Sequence, residues 1–408
     1  MKKQRSGWLA AMVWVWTMLV VGLLELGIAV GYAEEAATQA GHTQELSKEE
    51  SLHDHSRKDV PAVGVQAEQD TMIKDLQWRQ MFRPGERVLF VGDQATQQMT
   101  WTRSVATAMV LLMPGQGVRF FNGGYEGATA EDALEWIDEL CGLVRPTMVV
   151  VALGNNDAKG EEAVGVLADK FEKDLGELVE KIKSNGSVSQ VILLTPVPTQ
   201  TGLNARLDGM GMNSRLEMFA QRVLKVAEKK KTAYVDWFSH GRSVMDAAAG
   251  TQGEPLVING EVPNELGGVV LASVLLKGWG VQAQELEKVA WWPLAARKMG
   301  RIRHGLALEI KPPSPEAAEL GRQVYEQILL HDQSFFRVWR VEGKRAGGNR
   351  ALAMAAADQA WGRVEALVEE SQADAKTENK GKMLKSGADK SGHGGASGGA
   401  GDVGKSTK

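Results

Sequence analysis

Few side chains of this 408-residue sequence have the chemistry of a hydrolytic centre. Thr96 offers a hydroxyl just after an apolar run, but no base is evident beside it. His240, the only histidine between residues 80 and 282, follows Asp236 at the end of another run. It is the one internal base candidate, although a lone loop histidine is usually solvated or capping. Cys141 falls on the apolar stripe of a helical stretch, where we expect a buried hydrophobe and no nucleophile.

Four polar segments lie where a parallel sheet would present a ligand. Residues 92–96 (Gly-Asp-Gln-Ala-Thr), 122–129 (Asn-Gly-Gly-Tyr-Glu-Gly-Ala-Thr) and 154–157 (Gly-Asn-Asn-Asp) each follow an apolar run, and residues 257–264 (Val-Ile-Asn-Gly-Glu-Val-Pro-Asn) precede a helical stretch. In an open parallel α/β sheet, ligands bind at the carboxyl ends of the strands. The functional site is therefore predicted in these four segments.

Together and in this order, the segments resemble the four sequence blocks of the SGNH (GDSL-like) hydrolases, over roughly residues 85–280. The family's first block is Gly-Asp-Ser, whose serine attacks an ester carbonyl, and the matching position is Gln94. The last block is Asp-x-x-His, the orienting acid and the base, and the matching positions are Asn259 and Val262. A glutamine amide forms no acyl-enzyme, valine moves no proton and asparagine stabilises no imidazolium. The resemblance thus implies the esterase fold with its catalytic positions substituted.

The resemblance also implies that two hydrogen-bond donors of the family's oxyanion hole are retained. They are the backbone N–H of Gly127 and the side-chain amide of Asn156. Preorganised donors of this kind bind a carbonyl oxygen or a developing oxyanion. The alternative is that Gly127 only permits a turn and that Asn156 and Asp157 only cap the following helix.

The spacing of apolar residues predicts the elements that position these segments. Short apolar runs alternate with helix-period stretches from residue 80 to 282, which is typical of βαβ units. We predict a three-layer α/β sandwich of the SGNH or flavodoxin-like type, with a five-stranded parallel sheet. The predicted strands are Val88–Val91, Val118–Phe121, Met148–Leu153, Val191–Leu194 and Ala233–Asp236.

The N-terminus indicates export. A basic start precedes an apolar run over residues 8–24, and small residues up to Ala33 predict a cleaved signal peptide over residues 1–33. The alternative is an uncleaved membrane anchor, against which Glu25 argues. Residues 34–75 are polar and have no apolar period, which predicts a flexible linker. The mature protein is expected in the periplasm or outside the cell, with membrane contact only if the anchor is retained.

The C-terminal part differs in composition from the α/β region. Residues 283–370 predict an α-helical appendage, and Gly, Ser and Lys over residues 371–408 predict a disordered tail. The aromatic and arginine cluster over residues 335–340 suits a partner or saccharide surface, or it anchors the appendage to the main domain. His304 and His331 lie in the appendage and could fold back over the site.

Composition excludes several functions. The net charge is only −4 and no basic block stands out, so we expect no nucleic-acid partner. A single cysteine permits no intrachain disulfide. No cofactor is predicted. No metal is predicted either, because His42, His53 and His55 lie in a polar segment that would not hold ligands in a fixed geometry. The leading prediction is an impaired esterase homologue that binds an acylated or carbohydrate-type ligand. The alternatives are an active ester hydrolase with nonstandard residues and a structural envelope protein.

Overall fold

The computed structural model describes residues 78–249, 255–286, 289, 314–341 and 347–390. The helices among them are α1 (Trp78–Met81), α2 (Gln94–Gln97), α3 (Thr100–Leu112), α4 (Ala130–Val144), α5 (Val164–Ser184), α6 (Ala205–Gly209), α7 (Met212–Lys230), α8 (Trp237–Ala249), α9 (Glu265–Gly278), α10 (Ala283–Leu286), α11 (Pro315–Phe336) and α12 (Gly347–Lys390). A 3-10 turn covers Asp157–Lys159, and a π-helical turn covers Arg337–Val341. The predicted signal peptide and linker lie outside the described residues, and none of the helices described could span a membrane.

A parallel sheet forms the centre of the fold. Its five strands are β1 (Arg87–Gly92), β2 (Arg119–Gly124), β3 (Met148–Ala152), β4 (Gln190–Leu194) and β5 (Ala233–Val235). They lie in the order β2-β1-β3-β4-β5, and every pairing is parallel. The predicted five-stranded parallel sheet is confirmed, and β2 continues past Phe121 to Gly124.

Side-chain alternation along the strands builds a core on each face of the sheet. On β1, Val88 and Phe90 join one hydrophobic cluster, and Leu89 and Val91 join the other. The first cluster includes side chains of α3 and α9, and the second includes those of α4, α5 and α7. Because both faces are covered, the strands are nearly continuous in apolar residues. The predicted three-layer α/β sandwich is therefore confirmed.

Helix α4 begins directly after the N-cap residue Thr129. The Thr129 hydroxyl accepts from the Asp132 backbone N–H, and the Asp132 carboxylate accepts from the Thr129 backbone N–H. This reciprocal capping box satisfies two backbone donors that a helix start leaves free. The capping box thereby fixes the end of the loop that follows β2. That loop belongs to the candidate site.

The C-terminal helices pack on the β2 side of the sandwich. Helix α11 contacts α3, β2 and α12. The buried ring of Phe335 lies 5.3 Å from the ring of Phe121, and the Trp339 ring lies 5.3 Å from that of Trp136. Of the two predicted roles of the 335–340 cluster, the structure shows the anchoring one.

Three features differ from the sequence prediction. Residues 371–390 were expected in a disordered tail, but α12 continues to Lys390 because this stretch still contains many helix-forming Lys and Ala residues. Helix α8 was not predicted. A two-stranded antiparallel hairpin, β6 (Val257–Ile258) and β7 (Val262–Pro263), forms where only a connecting segment was expected.

Gly124 provides a test of the packing at the end of β2. A Cβ atom there would lie 2.2 Å from the Gln97 backbone nitrogen and 2.6 Å from the Thr96 carbonyl carbon. We expect Gly124→Ala to lower the free energy of unfolding by about 1–3 kcal/mol, since α2 must shift. Urea unfolding followed by circular dichroism measures it.

The matched control is Gly142→Ala on α4, where an added Cβ meets nothing within 4 Å. That substitution should raise the free energy of unfolding by about 0.5–1 kcal/mol, through helix propensity alone. Equal effects of the two substitutions would contradict the close approach of β2 and α2.

Candidate functional site

Gln94 is the first residue of α2, immediately after β1. This short helix is held against β2 by the buried side chain of Asn122. The Asn122 amide donates to the Thr96 carbonyl oxygen at 2.7 Å and to the Thr102 hydroxyl at 2.9 Å. Because these bonds join α2, α3 and β2, they fix the backbone from which the Gln94 side chain extends.

The two predicted donors meet on one oxygen atom. The Asn156 side-chain Nδ2 donates to Gln94 Oε1 at 2.8 Å, and the Gly127 backbone N–H donates to the same oxygen at 3.4 Å. Gly127 lies in the turn after β2 with a φ of +80°, which favours glycine, and Asn156 follows β3. Gln94, Gly127 and Asn156 are thus brought together, and the carbonyl of the Gln94 carboxamide lies where both donors point.

The orientation of both side-chain amides follows from their other partners. Asn156 Nδ2 also donates to the Ala128 carbonyl oxygen at 3.1 Å, and Asn156 Oδ1 accepts from the Lys159 ammonium at 3.1 Å. An ammonium group only donates and a carbonyl oxygen only accepts, so each Asn156 atom is assigned by its partner. The Gly127 backbone N–H likewise requires an acceptor, which makes the Gln94 atom facing it the oxygen.

An ion pair ties the hairpin to this cluster. The Lys159 ammonium lies 2.6 Å from a carboxylate oxygen of Glu261, and both side chains are largely buried. Glu261 lies between the two positions predicted to match the acid and the base. Neither Lys159 nor Glu261 was predicted from the sequence. The available signal was that Lys159 follows Asn156 by one turn, and that Glu261 falls inside the fourth segment.

Asn259 and Val262 lie on this hairpin, at its turn and at the start of its second strand. Asn259 is exposed at the turn with a φ of +52°, and its carbonyl oxygen accepts from the Asn204 side chain at 3.0 Å. Val262 begins β7, which lies against α2. Among the described contacts, neither residue forms a hydrogen bond with Gln94.

The structure removes the other candidate groups from the site. Thr96 is fully buried behind Gly92, so its hydroxyl faces no solvent. His240 lies on α8 after β5, the opposite edge strand from β2, with Nδ1 2.8 Å from the Asp236 carbonyl oxygen. Burial raises the pKa of the Cys141 thiol to about 11, which keeps it protonated.

The appendage histidines do not supply a base in the described structure. His331 is fully buried, with Nδ1 3.0 Å from the Asp332 carboxylate, and its ring packs against those of Phe121 and Trp361. Of the two possible positions of His331, over the site or elsewhere, the structure shows the second, because its ring belongs to the packing of α11 on β2. His304 lies outside the described residues.

Two carboxyl groups, those of Asp93 and Asp157, are adjacent in sequence to Gln94 and Asn156. Burial raises the pKa of Asp93 to about 7 and that of Asp157 to about 6, although the nearby Lys159 lowers the pKa of Asp93. Asp93 Oδ1 accepts from the Ala95 backbone N–H at 2.9 Å. In the part of the chain that is described, no three His, Cys, Asp or Glu residues are grouped so that they could hold a metal ion.

Comparison with known proteins agrees with this architecture. Residues 90–256 match the model of the GDSL-like lipase/acylhydrolase family, which supports a domain of that type over these residues. The match includes Gln94, Gly127 and Asn156 and ends before the hairpin. A comparison with curated proteins found no match. The match therefore supports a GDSL-like hydrolase type of fold for residues 90–256.

The solved structures that this chain resembles include an acetylxylan esterase and two other enzymes. A catalytic mutant of Axe2, an acetylxylan esterase from Geobacillus stearothermophilus, has 22% identity and a TM-score of 0.42, over 49% of this chain and 97% of that one. A gut microbial diltiazem-metabolizing enzyme has 18% identity and a TM-score of 0.42, over 49% of this chain and 48% of that one. LAE5, an alpha/beta hydrolase from the metagenome of Lake Arreo, Spain, has 23% identity and a TM-score of 0.38, over 49% of this chain and 97% of that one. At these identities the likeness is one of fold alone.

The buried carboxyl of Asp93 gives a pH test. Its folded pKa of about 7 exceeds the ordinary value of 3.8, so its contribution to stability is complete below about pH 4 and is lost as the pH rises to about 7. We expect Asp93→Asn to match the original protein at pH 4. By pH 8 the variant should melt at least about 3 °C higher, the effect of roughly 1 kcal/mol on a domain of this size.

Differential scanning calorimetry between pH 4 and 8 measures this difference. Glu217→Gln, an exposed change of the same chemistry on α7, is the control and should show no pH-dependent difference. A melting difference for Asp93→Asn that stays constant over this range would contradict a neutral buried Asp93.

Proposed function

We propose that this protein is an impaired homologue of the GDSL-like esterases that binds an acylated ligand, such as an acetylated carbohydrate, without cleaving it. The observation that carries the proposal is the convergence of the Gly127 N–H and the Asn156 amide on one carbonyl oxygen. Donors fixed in this way favour a carbonyl group whether or not a reaction follows. The Gln94 oxygen, which accepts from both donors, supports the fit of such a group.

Loss of hydrolysis follows from the residues at the reacting positions. Acyl transfer to the protein requires a nucleophile with a removable proton and a base to accept it. Gln94 supplies no such nucleophile, and Val262 supplies no base. The Glu261 carboxylate is close in sequence but is engaged by Lys159. The family match supports acyl chemistry in the ligand, and the substitutions support binding over turnover.

Restoring the missing groups tests this proposal. The combined change of Gln94→Ser, Asn259→Asp and Val262→His should produce measurable hydrolysis of p-nitrophenyl acetate, whereas the original protein should be far less active than a competent esterase of this fold. The groups of a triad act as a unit, so each single change should achieve little. The gain should be modest, since a misplacement of about 1 Å costs on the order of 100-fold.

Adding Asn156→Ala to the triple variant provides the control. It should remove about 3 kcal/mol of transition-state stabilisation, the usual contribution of one oxyanion donor. A folded triple variant that is inert would show that the positions were wrongly matched. Esterase-level turnover by the original protein, lost on Asn156→Ala, would contradict the non-hydrolytic function.

We also propose export with cleavage near Ala33, on the basis of the basic start and apolar run that precede it. N-terminal sequencing of the mature protein should find a start near Glu34. An intact Met1 on a membrane-bound product would instead establish an anchor.

A further inference from the structure

The donor pair of the site is already filled by the chain itself. Gln94 Oε1 accepts both hydrogen bonds that the proposed function assigns to a ligand. Any carbonyl ligand must displace the Gln94 carboxamide before it reaches Gly127 and Asn156. The Gln94 side chain is half-buried at the surface and extends from the first residue of a four-residue helix, so a rotation of the side chain alone releases the donors.

The two donors discriminate between ligand carbonyls by their strength as acceptors. Amide resonance moves electron density from nitrogen to oxygen, which makes an amide oxygen a stronger acceptor than an ester oxygen. An incoming amide replaces the Gln94 oxygen with an equal acceptor. An ester replaces it with a weaker one, and therefore loses hydrogen-bond energy on displacement.

The charges around the donors disfavour a carboxylate ligand. The Lys159 ammonium is paired with Glu261, and the Arg340 guanidinium lies 3.3 Å from the centre of the Tyr125 ring and donates to Gln97. These two cations are therefore engaged. The carboxyl of Asp157 follows Asn156 directly, and a second anion beside it would be repelled.

We infer that the ligand class of this site is a neutral N-acyl group, such as the N-acetyl group of an amino sugar, and that Gln94 is a built-in competitor for it. The inference rests on the proposed function in taking Gly127 and Asn156 as the ligand-binding donors. It adds that amides are preferred over esters and that the free protein is predominantly in a closed, self-occupied state.

Hydrogen-bond energies determine in what fraction of the molecules the Gln94 oxygen leaves the two donors free. The two hydrogen bonds stabilise the closed state, and the lost freedom of the Gln94 side chain offsets part of that stabilisation. The donors are therefore open in roughly a tenth of the molecules. Apparent affinity falls in proportion to the open fraction. Removing the competitor with Gln94→Ala should therefore raise the affinity of a small amide about tenfold.

The experiment titrates three small probes, N-methylacetamide, methyl acetate and acetate, into ¹⁵N-labelled protein. The NMR signals of the Gly127 backbone amide and the Asn156 side-chain amide report on binding. We expect N-methylacetamide to bind Gln94→Ala about tenfold more tightly than the original protein, and more tightly than either other probe. Gln98→Ala, which truncates an exposed glutamine at the end of α2, is the matched control and should leave every affinity unchanged.

The outcomes separate this inference from the proposed function. Equal or tighter binding of methyl acetate or acetate to Gln94→Ala would overturn the ligand class, while carbonyl binding at these donors would stand. Equal affinity of N-methylacetamide for the original protein and Gln94→Ala would overturn the competitor role. If no probe shifts either signal in a folded Gln94→Ala protein, the proposed function fails as well.

Discussion

The hydrogen bonds from Gly127 and Asn156 to the Gln94 carboxamide oxygen determine what this site can do. Three consecutive turns meet there, because β1, β2 and β3 are adjacent and parallel and end at the same edge of the sheet. The resemblance to the GDSL-like hydrolases implies a serine at the position of Gln94. Under the proposed function, a glutamine there supplies no nucleophile, and in the structure its oxygen is an acceptor for both donors. One residue would thus account for both the proposed loss of hydrolysis and the occupied donor pair.

The surrounding charges support the same arrangement. Lys159 donates to the Asn156 oxygen, which turns the Asn156 nitrogen towards Gln94, and its ion pair with Glu261 holds the hairpin over the loop after β3. Burial raises the pKa of Asp93 beside this pair, so the carboxyl is partly neutral near pH 7. The charge of Lys159 is balanced by Glu261 beside the donors, and this is why the site suits an uncharged carbonyl group.

The sequence predicted the sheet well and the site only in part. Buried parallel strands such as Met148–Ala152 are short apolar runs, and their ends locate the loops that carry Gly127 and Asn156. The direction of the Gln94 side chain was not predictable, since it depends on contacts with residues from two other loops. Lys159 and Glu261 were missed for the same reason, because they are distant in sequence and adjacent only in the fold. The end of α12 was misplaced because the helix formers of residues 371–390 are mixed with polar residues of a disordered composition.

The central claim is that the Gln94 carboxamide occupies the donors in the free protein. A crystal structure of the unliganded protein at about 1.2 Å resolution tests it most directly, because such data separate amide nitrogen from oxygen. We predict Gln94 Oε1 within about 3 Å of Asn156 Nδ2 and close to the Gly127 nitrogen. A Gln94 side chain directed into solvent, with water or a buffer ion on both donors, would contradict the account.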